Sequence, residues 1–134
     1  MPYDVVINGG RVIDPGRNVD APLDVAISGG SIAKVAPRID PAEATRTIDA
    51  RGRIVTPGLI DVHAHIFEHG GESGLDPDMA GVRSGVTTVV DGGSAGCANY
   101  ESFHHHVIPK ARTRILTNLH IARFGLSTMP EARG

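Results

Sequence analysis

Two histidines separated by a single alanine, His63 and His65, end a short apolar run at residues 59–65. If that run is a β-strand, residues i and i+2 point to the same face, so both imidazoles can reach one ion. Imidazole binds zinc, iron, manganese and nickel, so the pair predicts a metal site and leaves the metal open. A bare His-x-His is weak evidence, and its position after Pro57-Gly58 and an apolar run makes this one more specific.

Further polar residues end the two apolar runs that follow along the chain. Asp91 and Ser94 end the run 86–93, where they could contact a substrate or stabilise the loop. His120 and Arg123 lie toward the end of the run 114–122. A guanidinium at that place suits the carboxylate of an acyl-amino acid or a hydroxy acid. The sequence therefore predicts a substrate site beside the histidine pair.

Other residues with metal-binding or nucleophilic side chains are weaker candidates. Asp61 shares a strand face with His63, and it is either a carboxylate that orients an imidazole or an ordinary strand residue. The consecutive histidines 104–106 fall on a predicted helix, where neighbouring side chains diverge by about 100°, so they indicate a solvated face. Cys97 is interpreted as a small buried or loop residue.

The first 56 residues predict β structure. Two similar segments, 5–14 and 25–35, each place Gly-Gly between apolar runs, which indicates two β-hairpins. Asp14-Pro15-Gly16 predicts the turn between them. We expect a small antiparallel sheet that two further short strands complete, at residues 45–48 and 53–55.

From residue 57 onward, the pattern becomes β-α-β-α-β, which indicates a parallel sheet with crossover helices. Asp76 is the predicted N-cap of the first helix and Gly85 its end. Chemistry in such folds lies at the carboxyl ends of the strands, where the polar candidates stand. The predicted strands are 59–65, 86–93 and 114–122, and the predicted helices are 76–85 and 99–107.

Composition excludes several classes of protein. The chain has 134 residues, 40% of them hydrophobic and 21% charged, which is typical of a globular protein. A net charge of −2 without a basic cluster gives no sign of nucleic-acid binding, and no apolar run predicts a membrane span or signal peptide. The single cysteine fits a reducing compartment. We therefore expect a cytoplasmic protein whose partner is a small-molecule substrate.

The stretch PGLIDVHAH at residues 57–65 closely resembles the signature of the amidohydrolase superfamily, metal-dependent hydrolases built on a (β/α)8 barrel. Residues 5–37 are similar to the small β-sandwich that precedes the barrel in dihydroorotases, hydantoinases and N-acyl-amino-acid deacylases. Residues 85–96 resemble the second barrel strand of that group. Residues 94–126 look most like the amidohydrolase/deacetylase metallohydrolase branch, which is often labelled dihydroorotase-like.

The resemblance implies an α/β fold and a metal centre. Residues 1–56 would form an N-terminal β-sandwich segment, and residues 57–134 the first β/α units of an incomplete TIM barrel. His63 and His65 match the family's metal-ligating pair, which implies one or two divalent ions, with zinc expected. Metal-activated water then attacks an amide or ester carbonyl.

The family's bridging lysine, later histidines and catalytic aspartate have no recognisable match in this sequence. Lys110 follows a predicted helix and Pro109, so it is not interpreted as the bridging lysine. No catalytic residue is therefore assigned. Because a barrel needs about 250 residues, we interpret the sequence as the N-terminal part of a longer enzyme. We expect the chain alone to be inactive and not to fold stably.

The predicted activity is hydrolysis of amide, cyclic amide or acyl-ester bonds in small carboxylate-bearing molecules. Deacetylase-type activity is preferred. Dihydroorotase- or hydantoinase-like ring opening is the first alternative, and a non-catalytic fragment or β-sandwich binding module is the second. The resemblance also allows a homo-oligomer.

Overall fold

The structure is a computed structural model that describes residues 2–71 and 74–128. The fold is mixed α/β, and the chain divides into two compact units between Pro57 and Gly58. No helix among the described residues combines the length and the apolar character that a membrane span requires.

The first unit contains a five-stranded sheet in the order β3-β2-β1-β4, with β5 also paired to β1. The pairs β1/β2 and β2/β3 are antiparallel, as predicted, whereas β4 and β5 both run parallel to β1. The prediction of a purely antiparallel sheet was therefore wrong, because the chain crosses over after β3 and returns beside β1 in the same direction. The strands are β1 (Tyr3–Asp14), β2 (Val19–Ser28), β3 (Ser31–Ala36), β4 (Ala44–Asp49) and β5 (Ile54–Val55).

The two Gly-Gly pairs of this unit have different structures. Gly29 and Gly30, with φ of 57° and 74°, form the predicted hairpin turn between β2 and β3. Gly9 and Gly10 instead lie inside the continuous strand β1, where the register shifts and Gly9 has φ of 73°. The first hairpin prediction was wrong, because this Gly-Gly forms a β-bulge. The turn before β2 is a 3₁₀ helix over Pro15–Arg17, as the Asp-Pro-Gly pattern indicates.

A buried carboxylate fixes this bulge to the rest of the unit. Asp24 on β2 accepts hydrogen bonds from the N–H groups of Gly9 (2.7 Å) and Ile39 (2.8 Å) and from the side-chain amide of Asn8 (2.9 Å). Burial raises the pKa of Asp24, but these hydrogen bonds outweigh it and hold the pKa below its ordinary value. The adjacent apolar core comprises Val6, Ala26, Ile39 and Ala44.

The second unit contains a three-stranded parallel sheet in the order β6-β7-β8. The predicted β-α-β-α-β order is confirmed, since one α-helix follows each of the first two strands. The elements are β6 (Leu59–Ala64), α1 (Pro77–Ala80), β7 (Val86–Asp91), α2 (Tyr100–His106) and β8 (Arg114–Thr117).

Two of these elements are shorter than their sequence patterns. Asp76 caps α1 as predicted, because its Oδ1 accepts from the N–H of Asp78 (2.7 Å). The helix ends at Ala80, however, and only a 3₁₀ turn over Val82–Ser84 follows it. Strand β8 ends at Thr117, not at residue 122. Beyond it the chain follows the loop after β7, where the N–H of Asn118 donates to the carbonyl of Asp91.

The core of the second unit lies between the sheet and the helices. Phe67 and Phe103 stack with ring centroids 4.8 Å apart, and Ile66, Val89 and Ala95 complete the buried cluster. On the outer strands, apolar side chains are exposed, among them Val62 on β6 (73%) and Leu116 on β8 (46%). Because β7 is the central strand of the sheet, its carboxyl end lies between those of β6 and β8.

Candidate metal centre

The two histidines lie together at the carboxyl end of β6. His63 is the penultimate residue of β6, which ends at Ala64, and His65 follows directly after the strand. Their ring centroids are 5.2 Å apart, and the ring planes are nearly perpendicular, at 88°. The local geometry that the sequence predicts, two imidazoles side by side, is what the structure contains.

A glycine from the neighbouring strand end lies beneath both rings. If Gly92 carried a Cβ, that atom would lie 2.6 Å from Nε2 of His63 and 3.0 Å from Cε1 of His65. The N–H of Gly92 donates to the carbonyl of Ala64 (2.8 Å), so the backbone is fixed at this point. The imidazole pair therefore occupies space that exists only because residue 92 has no side chain.

Ser94 is buried beside the second histidine. Its Oγ lies 3.1 Å from Nδ1 of His65. A hydroxyl can accept a hydrogen bond, so Nδ1–H can donate to it, and the lone pair on Nε2 then suits metal ligation. Of the two roles open to Ser94, this contact supports fixing an imidazole over open exposure to a substrate.

Asp91 ends β7 with a fully buried carboxylate. Oδ1 accepts from the N–H groups of Gly93 (3.0 Å) and Ser94 (2.7 Å), and Oδ2 accepts from the N–H of Ile66 (3.1 Å). These bonds tie the loop after β7 to the segment after β6. The geometry supports the loop-stabilising role of Asp91, since both of its oxygens serve backbone donors.

The remaining candidates lie in different surroundings. Oδ1 of Asp61 accepts from the backbone N–H of His63 (2.9 Å), so it fixes the strand and not the imidazole. Arg123 is exposed, with its guanidinium carbon 5.7 Å from the ring centroid of Phe124. Lys110 is exposed in the 3₁₀ turn after α2, away from the carboxyl ends of the strands.

A third imidazole, that of His120, lies at the same edge of the sheet. Its ring packs against Gly93, where a Cβ would lie 3.2 Å from Cδ2 of the histidine. The successive glycines 92 and 93 thus lie under imidazoles from both sides of β7. Sequence reasoning noted the histidine but missed the glycines, although a Gly-Gly directly after a buried strand is a signal of close approach to the backbone.

The side chains on this edge fit part of a metal site. Within residues 2–71 and 74–128, no group of three or more histidine, cysteine, aspartate or glutamate residues could hold a metal ion. Catalytic zinc normally takes three protein ligands. The described residues therefore supply two adjacent imidazoles over a glycine whose missing side chain leaves room for them, and imidazole is a donor type that divalent metals accept.

The cavities differ in their relation to this pair. A cavity of about 460 Å³ lies between the loop after β6, α1 and α2, and its lining includes His69, His106 and Lys110 but neither His63 nor His65. A small cavity of about 20 Å³ is lined by His65 and Ser94. Its volume suits one water-sized group. The larger cavity is thus separate from the two candidate metal ligands.

Known proteins are similar to this chain in both sequence and fold. A family model described as the amidohydrolase family matches residues 46–118. A deacetylase from Agrobacterium fabrum is 39% identical over 114 residues, which cover 82% of this chain and 28% of that protein. A dihydroorotase from Citrifermentans bemidjiense is 35% identical over 125 residues, covering 87% of this chain and 28% of that protein. The crystal structure of an adenine deaminase aligns with a TM-score of 0.79 and 34% identity, over 93% of this chain and 32% of that chain.

The chain spans less than a third of the length of these relatives. The solved structures that it resembles are TIM-barrel enzymes, and members of the superfamily generally depend on divalent metals. The match over residues 46–118 covers the His-x-His stretch and all three strands of the parallel sheet. The resemblance inferred from the sequence is confirmed, and the chain belongs to the amidohydrolase family.

Proposed function

We propose that the protein is a divalent-metal-dependent hydrolase of the deacetylase type, acting on an amide or acyl-ester bond in a small carboxylate-bearing molecule. The observation that carries this proposal is the pair of imidazoles, His63 and His65, packed over Gly92 at the carboxyl end of a parallel strand. Family membership supports it, and so does the similarity to a protein named a deacetylase. The proposed fold around the site is a TIM barrel preceded by a β-sandwich.

Each residue of the edge has a proposed task in this activity. His63 and His65 would hold the metal, for which zinc is proposed, with one or two ions in the site. When bound, such an ion lowers the pKa of water and polarises the carbonyl that is attacked. Ser94 holds the ring of His65 in position, and Asp91 holds the loop that carries Ser94. Arg123 is proposed to bind the substrate carboxylate.

Ring opening of a cyclic amide is the second candidate. The observation that favours it is the 35% identity to a protein named a dihydroorotase. Both activities cleave an amide carbon–nitrogen bond, so the same two imidazoles would serve either one. The difference lies in the groups that surround the substrate.

The test is a substrate panel with the metal removed and restored. The purified protein is stripped with a chelator, reloaded with zinc and assayed on N-acetyl amino acids, O-acetyl hydroxy acids, dihydroorotate, hydantoins and adenine. We expect zinc-dependent release of acetate by the whole protein and none by the 134-residue chain alone. Hydrolysis that proceeds equally well in the stripped protein would contradict the proposal, and turnover of dihydroorotate alone would select the second candidate.

Histidine variants connect that activity to the site. His63→Ala and His65→Ala should each lose zinc and activity together, because each removes one of two adjacent ligands. The matched control is His105→Ala, since His105 is an exposed histidine on α2 that pairs with Glu101 at 3.0 Å. If the double variant of residues 63 and 65 binds zinc as tightly as the unaltered protein, these residues are not the metal ligands.

A further inference from the structure

His120 has a fixed position at the carboxyl edge of the parallel sheet. Its N–H donates to the carbonyl of Ala95 (2.9 Å), and the residue forms a parallel bridge with Gly96 in the loop after β7. The side chain is partly buried. Both contacts hold the backbone of His120 against the loop that also carries Ser94.

The ring of His120 faces the same strand end as the metal-ligand candidates. Its Cδ2 is the atom that a Cβ on Gly93 would approach, at 3.2 Å. Gly93 has φ of 94°, a conformation that favours glycine. The preceding residue, Gly92, lies under His63 and His65. Imidazoles from β6 and from the segment after β8 therefore approach two adjacent residues from opposite sides of β7.

A hydrogen bond decides which nitrogen of His120 carries the proton. Nδ1 accepts from the N–H of Ala122 at 2.9 Å. A neutral imidazole has one nitrogen with a lone pair and one with a hydrogen, so acceptance at Nδ1 places the hydrogen on Nε2. Nε2 is bonded to Cδ2, the ring atom on the Gly93 side. The nitrogen of His120 that the bond to Ala122 leaves for another partner is therefore a donor and not a lone pair.

This tautomer separates His120 from the two other imidazoles. A metal ligand needs a lone pair on the coordinating nitrogen. In His120 the single lone pair is directed at a backbone N–H, which can only donate. In His65 the partner of Nδ1 is the Ser94 hydroxyl, which can also accept. His120 could become a third ligand only by giving up its bond to Ala122.

We propose that His120 is a substrate-binding residue whose Nε2–H donates a hydrogen bond to an oxygen of the substrate, either the acyl carbonyl or the carboxylate. This inference rests on the hydrolase function proposed above, because it places the substrate beside His63 and His65. The neutral Nε2–H group of His120 suits a substrate oxygen as its acceptor. It would add specificity for the substrate without competing for the metal. The residue acts by contact with the substrate and takes no part in holding the ion.

The test compares two variants in the zinc-loaded protein. His120→Phe keeps a planar ring and removes both nitrogens, whereas His120→Gln keeps an N–H donor near the place of Nε2. We expect His120→Phe to retain its zinc and to lose about 10- to 100-fold in kcat/KM, as for the loss of a hydrogen bond to a charged or polarised group. His120→Gln should recover part of that loss. Loss of zinc in His120→Phe, or unchanged kinetics with zinc retained, would overturn the assignment.

Two further arms separate the alternatives. Comparing an N-acetyl amino acid with its carboxamide identifies the acceptor: an equal loss for both substrates in His120→Phe indicates the acyl oxygen, and a loss confined to the acid indicates the carboxylate. If the zinc-loaded protein hydrolyses nothing in the panel, the proposed function fails while the tautomer is still measurable. The ¹⁵N NMR signals of the imidazole should then show Nε2–H, and titration with acetate should shift them. An Nδ1–H tautomer, or no shift with acetate, would refute the role of His120 independently.

Discussion

Replacing Gly92 by alanine tests whether the imidazole pair depends on the glycine beneath it. The added Cβ would lie 2.6 Å from Nε2 and 2.8 Å from Cδ2 of His63, and 3.0 Å from Cε1 of His65, whereas ordinary contacts are 3.4–4 Å. Gly92 does not have a positive φ, so alanine adds crowding without backbone strain. The change therefore acts on the two rings and on little else.

The size of the effect depends on which atoms must move to relieve the crowding. The backbone at residue 92 is held by its N–H bond to Ala64, and the flanking Asp91 is fixed by three backbone donors. The rings must therefore move, by about 0.8 Å for His63 to restore an ordinary contact. Misplacing a catalytic group by about 1 Å costs on the order of 100-fold in rate. We expect Gly92→Ala to bind zinc about 10- to 100-fold more weakly, which is the range for disturbed ligand orientation.

Zinc affinity is measured by competition with a chromophoric chelator, and stability by thermal unfolding of the metal-free protein. The matched control is Gly58→Ala at the opposite end of the same strand pair, where a Cβ would clash with the side chain of Thr87 and with no imidazole. That variant should be destabilised but keep its zinc affinity. If Gly92→Ala binds zinc as tightly as the unaltered protein, the two rings do not converge above residue 92 in the working site.

Three other predictions follow from hydrogen bonds of the two units. Ser94→Ala removes the partner of His65 Nδ1, so zinc affinity should fall about 10- to 100-fold. Ser94→Thr keeps the hydroxyl and should retain more of that affinity. An effect on KM alone would indicate substrate contact instead. Asp91→Asn replaces one acceptor oxygen by an amide donor that faces backbone N–H groups. Urea denaturation should show a loss of about 1–3 kcal/mol in the free energy of unfolding. An unchanged midpoint would contradict the stabilising role of these three hydrogen bonds. Because the pKa of Asp24 is lowered in the folded state, the stability that its ionised form contributes is present above the ordinary carboxyl pKa and is lost as pH falls through the folded value. Acid unfolding of the first unit should therefore be less steep in Asp24→Asn, and identical acid limbs would refute that linkage.

Features encoded by near neighbours in the chain were predictable from the sequence. The hairpin at Gly29-Gly30, the cap at Asp76 and the order of strands and helices in the second unit depend on residues a few positions apart. The adjacency of His63 and His65 follows from the two-residue period of a strand. These local rules also identified the family, because its signature is a short contiguous stretch.

Features that depend on register between distant segments required the tertiary structure. Gly9-Gly10 has the same local pattern as Gly29-Gly30, yet it forms a bulge, because the chain there pairs with β2 and Asp24 fixes its N–H. The parallel pairing of β4 and β5 with β1 likewise depends on a crossover whose direction no local pattern specifies.

The candidate site divides in the same way. The sequence by itself determined which residues could bind a metal and on which element they stand. Only the tertiary structure decided that Gly92 lies under both imidazoles, that Asp91 accepts from backbone donors, and that His120 packs on Gly93 with its Nδ1 accepting from Ala122. The physical reason is that a side chain's type fixes what it can bind, whereas the neighbours that orient it and set its tautomer come from strands that pairing alone brings together.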